Sequence, residues 1–211
     1  MPSHRFNTND WRRRCYSLGA PVYDLLVRGF RPWRRRSLEL LALQPGEKVL
    51  LIGAGTGEDL EFLPSGVRVT AIDLTPAMLD RLKKRAVRLN LQVDARVMDG
   101  HQLAFPDATF DVVILHLILA VIPDPVRCAR EAARVLRPGG RVTILDKFLP
   151  DGRPLPLAIR LLAPVIGFFG TEINRQLGPI LAGTDLDITR QEPLGMRGFF
   201  KIVLARKPSA P

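Results

Sequence analysis

The 211-residue chain is predicted to fold as an α/β protein, a doubly wound sheet of parallel strands covered by helices. Three observations predict it. Short apolar runs alternate with segments of helical period from Val49 to Asp146, and such alternation makes a parallel sheet because each helix carries the chain back to the end where its strand began. A three-glycine turn, Gly53-Ala54-Gly55-Thr56-Gly57, directly follows the first apolar run. The next run ends in Asp73, 73 − 53 = 20 residues past the first glycine, about where a doubly wound sheet places a carboxylate for ribose hydroxyls.

The elements follow in order. Residues 10–43 read as helical, with apolar Leu25, Leu26, Phe30, Leu38, Leu40, Leu41 and Leu43 and an interruption at Pro32. Pro45-Gly46 turns the chain into a strand at Val49–Ile52. A short helix over Glu58–Leu63 is stopped by Pro64, and Val67–Ile72 is the second strand. Thr75 is placed to cap a helix with Pro76 at its first position. That helix runs to about Asn90, with Met78, Leu79, Leu82, Ala86 and Leu89 facing the core and Arg81, Lys83, Lys84, Arg85 and Arg88 facing solvent. Val93–Val97 and Val112–Leu115 are further strands, a helix covers about Val126–Leu136, and Pro138-Gly139-Gly140 turns into a fifth strand at Arg141–Asp146. Leu155–Gly170 is apolar but broken by Pro156, Arg160 and Pro164. It is too short for a membrane span of about 20 residues, and reads either as a buried helix pair or as a lid dipping towards a membrane. Leu186–Gln191 and Phe199–Ala205 are strand-like, joined through a Gly195–Gly198 turn.

Glycine suits the first turn because it accepts positive φ and lets backbone N–H groups approach a ligand. The spacing G-x-G-x-G departs from the dinucleotide fingerprint G-x-G-x-x-G, with Glu58 where that pattern needs glycine. Glu58 and Asp59 at this turn would repel a pyrophosphate and tolerate a cationic ligand. A bare strand–helix turn would need the same glycines; the acid at Asp73 favours an adenosine-containing cofactor.

Val49 to Gly57, Asp73-Leu74-Thr75-Pro76-Ala77-Met78-Leu79, Asp99-Gly100, Phe110-Asp111-Val112-Val113 and Leu136-Arg137-Pro138-Gly139-Gly140 together resemble, in order, the motifs of class I S-adenosylmethionine-dependent methyltransferases over roughly residues 40–147. The resemblance implies a Rossmann-like sheet closed by a hairpin whose last strand is antiparallel. It implies S-adenosylmethionine as cofactor, held by Gly53, Ala54, Gly55 and Gly57 along the methionine part, by Asp73 and Leu74 at the ribose, and by Asp99 and Gly100 at the adenine, with Met78 and His116 completing the contacts. Leu51 stands where the family carries an acid two residues before the first glycine, so Glu58 or a backbone carbonyl is expected to take the cofactor's ammonium.

Tyr16 to Leu25 is similar to the entry segment of two groups, the ubiquinone/menaquinone C-methyltransferases and the bacterial phospholipid N-methyltransferases. In that resemblance the N-terminal arm folds over the cofactor with Tyr23 and Tyr16 near the methyl-accepting group; packing of Tyr23 onto the core is the plainer alternative. The expected activity is stepwise N-methylation of phosphatidylethanolamine towards phosphatidylcholine. C-methylation of a quinone precursor or another small molecule, and a non-catalytic cofactor-binding protein, are the readings held against it.

Charge and composition set the remaining expectations. Residues 1–36 carry nine arginines against Asp10 and Asp24, or +7 of the formal net charge of +10. Trp11, Tyr16, Tyr23, Phe30 and Trp33 lie among them, a mixture suited to an anionic membrane surface; a solvated arm is the bland reading, and nucleic acid suits the aromatic content less well. The chain is expected to divide into an arm, 1–44, and a methyltransferase core, 45–211, with 150–183 as a lid. Cys15 and Cys128 form no disulfide framework or metal motif, and no uninterrupted apolar leader is visible, so a cytoplasmic protein peripherally bound to membrane, without metal, is expected. Ligands bind past the carboxyl ends of parallel strands, which makes His116, Lys147 and Phe148 candidates to touch substrate. His116 is either a proton acceptor or a histidine hydrogen-bonded at a strand end; His101 is expected to flank the adenine or solvent.

Overall fold

The computed structural model describes residues 29–149 and 175–209, so Tyr16, Tyr23, Trp11, Arg5 through Arg28 and the apolar 155–170 stretch lie outside the described residues. Seven strands form one sheet in the order β3-β2-β1-β4-β5-β7-β6. β1 (Lys48–Ile52), β2 (Arg68–Asp73), β3 (Val93–Val97), β4 (Phe110–His116) and β5 (Leu136–Lys147) are parallel. β7 (Phe200–Arg206) inserts antiparallel between β5 and β6 (Asp187–Pro193). This is the doubly wound, Rossmann-like arrangement expected, mostly parallel with an antiparallel last strand.

Strand chemistry matches strand position. Val49, Leu50, Leu51 and Ile52 of β1 are at most 2 % exposed, as a central strand covered on both faces requires. The edge strands β3 and β6 instead carry Asp94, Arg96, Arg190 and Glu192 and are largely exposed, which discourages pairing with another chain. Alternation sorts the core into two layers. Leu50, Ile52, Val113, Leu115, Val142 and Ile144 face α3 (Pro125–Val135) and α4 (Leu177–Leu181). Val49, Leu51, Val112 and Ile114 face α1 (Arg31–Leu41), the 3₁₀ turn Glu58–Phe62 and α2 (Pro76–Arg88). The last helical turn, α5, spans Gly195–Gly198 between β6 and β7. Among the described residues no helix is long and apolar enough to cross a membrane.

Several details differ from expectation, beyond shifts of one or two residues at strand ends. Pro32 lies in the first turn of α1 and begins the helix instead of interrupting it, since a first-turn N–H has no intrahelical acceptor to lose. Thr75 occupies the cap position of α2 without a side-chain cap bond; its backbone N–H donates to Asp73 Oδ1 at 2.8 Å instead. Leu89 falls just past the end of α2 and is 37 % exposed, not buried. β5 already begins at Leu136 and runs through Pro138-Gly139-Gly140. Gly139, at φ +74°, takes up the register shift against β4 between Phe110 and Val112, so glycine bends the strand where a separate turn was expected.

Candidate active site

Chain order reverses between β1 and β4, and an open α/β sheet forms its ligand crevice at that point. A cleft opens there, beyond the carboxyl ends of the parallel strands. Gly53, Gly55, Asp73, Leu74, Met78, Asp99 and Gly100 all line it, together with His101, Met98, Thr75 and an apolar wall of Leu117, Ile118, Val121 and Ile122.

The glycine turn has two kinds of glycine. At Gly53 (φ +68°) a Cβ would come within 2.6 Å of Ile118 Cδ1, so its smallness serves packing. At Gly55 (φ +54°) a Cβ would meet nothing within 4 Å, because it would project into open cleft. Ala54 and Gly57 lie behind this front. Ala54 donates its N–H to Ile72 O at 2.9 Å, and a Cβ on Gly57 would press on Leu82 of α2. They shape the turn without lining the cleft.

Asp73 is held mainly by backbone N–H groups. Its Oδ2 accepts from Gly55 N–H at 2.9 Å and its Oδ1 from Thr75 N–H at 2.8 Å; the Thr75 hydroxyl and Leu74 N–H add smaller support, and the carboxylate borders the cleft. Burial raises its pKa against the lowering effect of these N–H groups. Asp99 is half-used. Its Oδ1 accepts from His101 N–H at 2.9 Å and pairs with His101 Nδ1 at 2.7 Å. His101 Nε2 accepts from Asp124 N–H at 3.1 Å, so Nδ1 carries the proton and donates. Asp124 in turn caps α3 through Arg127 N–H.

His116 corrects an expectation, for it does not line the cleft. By the alternation of β4 its side chain points into the α1 layer with Val112 and Ile114, 1 % exposed. Its Nδ1 pairs with Asp59 Oδ1 at 2.7 Å and its Nε2 with Ser37 Oγ at 2.9 Å. Ser37 continues to Thr143 Oγ1 at 2.6 Å, and Arg34 Nη1 donates to Asp59 Oδ2 at 2.6 Å. Burial alone would raise the pKa of Asp59, but the Arg34 guanidinium and His116 outweigh it and hold the carboxyl below its ordinary range. An ionised Asp59 only accepts, so His116 Nδ1 donates to it.

Glu58 is also corrected. It is 3 % exposed and ion-paired with Arg31 at 3.4 Å and with Arg85, so it faces α1 and α2, not a cofactor ammonium; Leu51 is buried in the core. Phe148 is fully buried and Lys147 half-buried, neither on the cleft, and burial lowers the Lys147 pKa. Two features had no sequence signal. Leu117 takes a left-handed conformation, φ +59°, at the cleft wall. Asp146, at the end of β5, accepts from Ala120 N–H at 3.0 Å and Lys147 N–H at 2.8 Å, pinning the loop that makes that wall; burial raises its pKa to about 6.

A doubly wound sheet with a glycine-rimmed cleft and two acids beside it defines a nucleoside-cofactor-binding α/β protein. A family model described as a methyltransferase domain matches residues 50–144. Phosphatidylethanolamine N-methyltransferase of Cereibacter sphaeroides is 34 % identical over 189 residues, covering 89 % of this chain and 93 % of that protein. Demethylmenaquinone methyltransferase of Corynebacterium efficiens is 39 % identical over 152 residues, covering 72 % of this chain but only 57 % of that protein. The fold of geranyl diphosphate C-methyltransferase from Streptomyces coelicolor, solved with S-adenosyl-L-homocysteine, matches with a TM-score of 0.69 at 16 % identity, over 83 % of this chain and 75 % of that one. The chain belongs to the S-adenosylmethionine-dependent methyltransferases, and S-adenosylmethionine is its cofactor. The cleft fits that molecule: Gly55 leaves open the space a side chain would fill, and Asp73 and Asp99 border it as acceptors for hydroxyls and an amine.

Proposed function

We propose that the chain methylates the amine of phosphatidylethanolamine, stepwise towards phosphatidylcholine, at an anionic membrane surface in the cytoplasm. The observation that carries this reading is the extent of the match: 93 % of the phosphatidylethanolamine enzyme is covered, against 57 % of the quinone enzyme. C-methylation of a quinone precursor is the second reading, favoured by the higher local identity of 39 %.

Bound in the cleft, the cofactor supplies a methyl group on a sulfonium that is already a good leaving group. The chain's task is then to bind, align and exclude water. Asp73 would accept from the ribose hydroxyls, the Asp99 oxygen not used by His101 would accept from the adenine amine, and the Gly53–Gly55 backbone would hold the methionine part. Leu74, Met78 and Gly100 complete the cradle, while Ile118, Val121 and Ile122 keep the reacting end dry. Tyr23 and Tyr16 are the residues proposed to meet the accepting amine, which attacks as the free base, and a ring face favours the positive charge its nitrogen gains as the methyl arrives. The arginines that precede α1, Arg5 to Arg28, supply the charge that attracts anionic lipid.

Incubation with methyl-labelled S-adenosylmethionine and vesicles holding both phosphatidylethanolamine and demethylmenaquinone separates the readings. Label in mono-, di- and trimethylated phospholipid is expected; label in the quinone alone overturns the proposal.

A further inference from the structure

The outer face of α2 is more basic than its helix needs. The segment Pro76–Arg88 carries Arg81, Lys83, Lys84, Arg85 and Arg88 against a single acid, Asp80. Cations in the last turn are favoured by the helix dipole, which accounts for Arg85 and Arg88 but not for Lys83 and Lys84. Arg85 is also used structurally, paired with buried Glu58. Lys83, Lys84 and Arg88 stay exposed. Arg81, Lys84, Arg85 and Arg88 line one groove beside Thr56.

An apolar residue sits in the middle of this charge. Val87, 80 % exposed, is the most exposed large hydrophobic among the described residues, and Leu89 just beyond is 37 % exposed. Positions three and four apart are neighbours on a helix, so Lys83 and Lys84 flank Val87, and Arg88 follows it. The face continues onto α1. Arg31 pairs with Glu58 and Glu61, and Arg31 and Arg35 lie over the Phe62 ring at 5.4 and 5.5 Å from its centre.

We propose that this α2 face, extended by Arg31 and Arg35 of α1, docks on an anionic lipid bilayer. The cations meet headgroup phosphates and Val87 enters the interface, the division of labour of an interfacial helix. A single-stranded nucleic acid would want free aromatic faces on which to stack bases; Phe62 is the aromatic on this face and its ring is covered by two guanidinium groups. The same helix contributes Met78 to the cleft one turn before Arg81, so docking α2 brings the cleft to the lipid surface. The inference rests on the lipid-amine reading for its purpose, and its test is separate from that reading.

The test is co-sedimentation of the full chain with vesicles of phosphatidylcholine and phosphatidylglycerol, comparing wild type with Lys83→Gln/Lys84→Gln/Arg88→Gln. About a hundredfold loss in partitioning is expected, at roughly 1 kcal/mol for each basic side chain near such a surface. Val87→Ser should weaken partitioning severalfold in a way that added salt hardly changes. Cofactor affinity should be unaltered in both variants, which shows that they are folded. Methylation of a monomeric short-chain phosphatidylethanolamine should likewise equal wild type. If wild type fails to methylate any phosphatidylethanolamine, the substrate reading falls while the sedimentation result still decides the docking surface. Partitioning of the triple variant within about twofold of wild type overturns the proposal, as does equal binding to pure phosphatidylcholine or tighter binding of a short RNA duplex at the same salt.

Discussion

Two sets of acids stand on either side of the glycine turn, built from the same residue types and put to opposite uses. Behind it, Asp59 and Glu58 are met on every side by Arg34, His116, Arg31 and Arg85. In front, Asp73 and Asp99 are met by backbone N–H groups, the Thr75 hydroxyl and His101, with no cationic side chain against Asp73 and with the cleft beside both. A buried charge whose partners all come from the chain serves the fold, because its partners already make up for lost water. An acid held by backbone N–H groups at the edge of open volume is prepared for a ligand. The comparison predicts that damage behind the turn is read in stability and damage in front of it in binding.

The largest stability effect is expected from Asp59→Ala. It strands the Arg34 guanidinium, whose partner lies 2.6 Å away, and loss of one member of a buried pair costs about 3–5 kcal/mol. Denaturant unfolding should show this; a loss below about 1 kcal/mol would erase the contrast between the two sets.

Next in size is a pH effect at Asp146. Its folded pKa of about 6 lies above the ordinary 3.8, so the folded state holds the proton more tightly than the unfolded chain. Stability contributed by this group is full below about pH 4 and falls as pH rises through about 6. Two pKa units correspond to about 3 kcal/mol. The stability of Asp146→Asn relative to wild type should therefore improve by up to that amount between pH 4 and 7. A difference that is flat with pH contradicts the buried, ionisable role. Asp59, lowered where Asp146 is raised, acts with the opposite sign: its contribution is present above about pH 4 and is lost on further acidification.

A smaller loss, about 1–3 kcal/mol for the polar partners left unsatisfied, is expected from His116→Ala in the same unfolding measurement. His116→Gln, which keeps a donor and an acceptor, should recover part of it.

How much of this was legible in the sequence follows the same divide. Local signals sufficed for the parallel strands: apolar runs fixed β1 and β4, and Pro76 fixed the start of α2. They also sufficed for the front of the site, because Gly53, Gly55, Asp73 and Asp99 sit at strand ends, where topology alone brings them together. The back of the turn was illegible because its partners are distant in the chain. Arg34 reaches Asp59 across 25 residues, and Ser37 reaches Thr143 across 106. With Arg34 read as part of a basic arm, nothing marked Glu58, Asp59 or His116 as already paired. The alternation of β4 was the one available clue, since His116 falls on the same face as Val112 and Ile114. Leu117 and Asp146 gave no signal, because a left-handed leucine and a buried acid serving backbone N–H groups look like ordinary strand ends.

The claim that the cleft, not the buried cluster, holds the cofactor is tested most directly by calorimetric titration of S-adenosylmethionine into wild type, Asp73→Ala and His116→Ala. Asp73→Ala should lose about a hundredfold or more in affinity, as two hydroxyls lose charge-assisted acceptors worth about 1.5–3 kcal/mol each, while its stability falls by less than that of Asp59→Ala. His116→Ala should bind within about threefold of wild type despite its lower stability. Undiminished binding by Asp73→Ala, or its loss in a folded His116→Ala, would contradict the account.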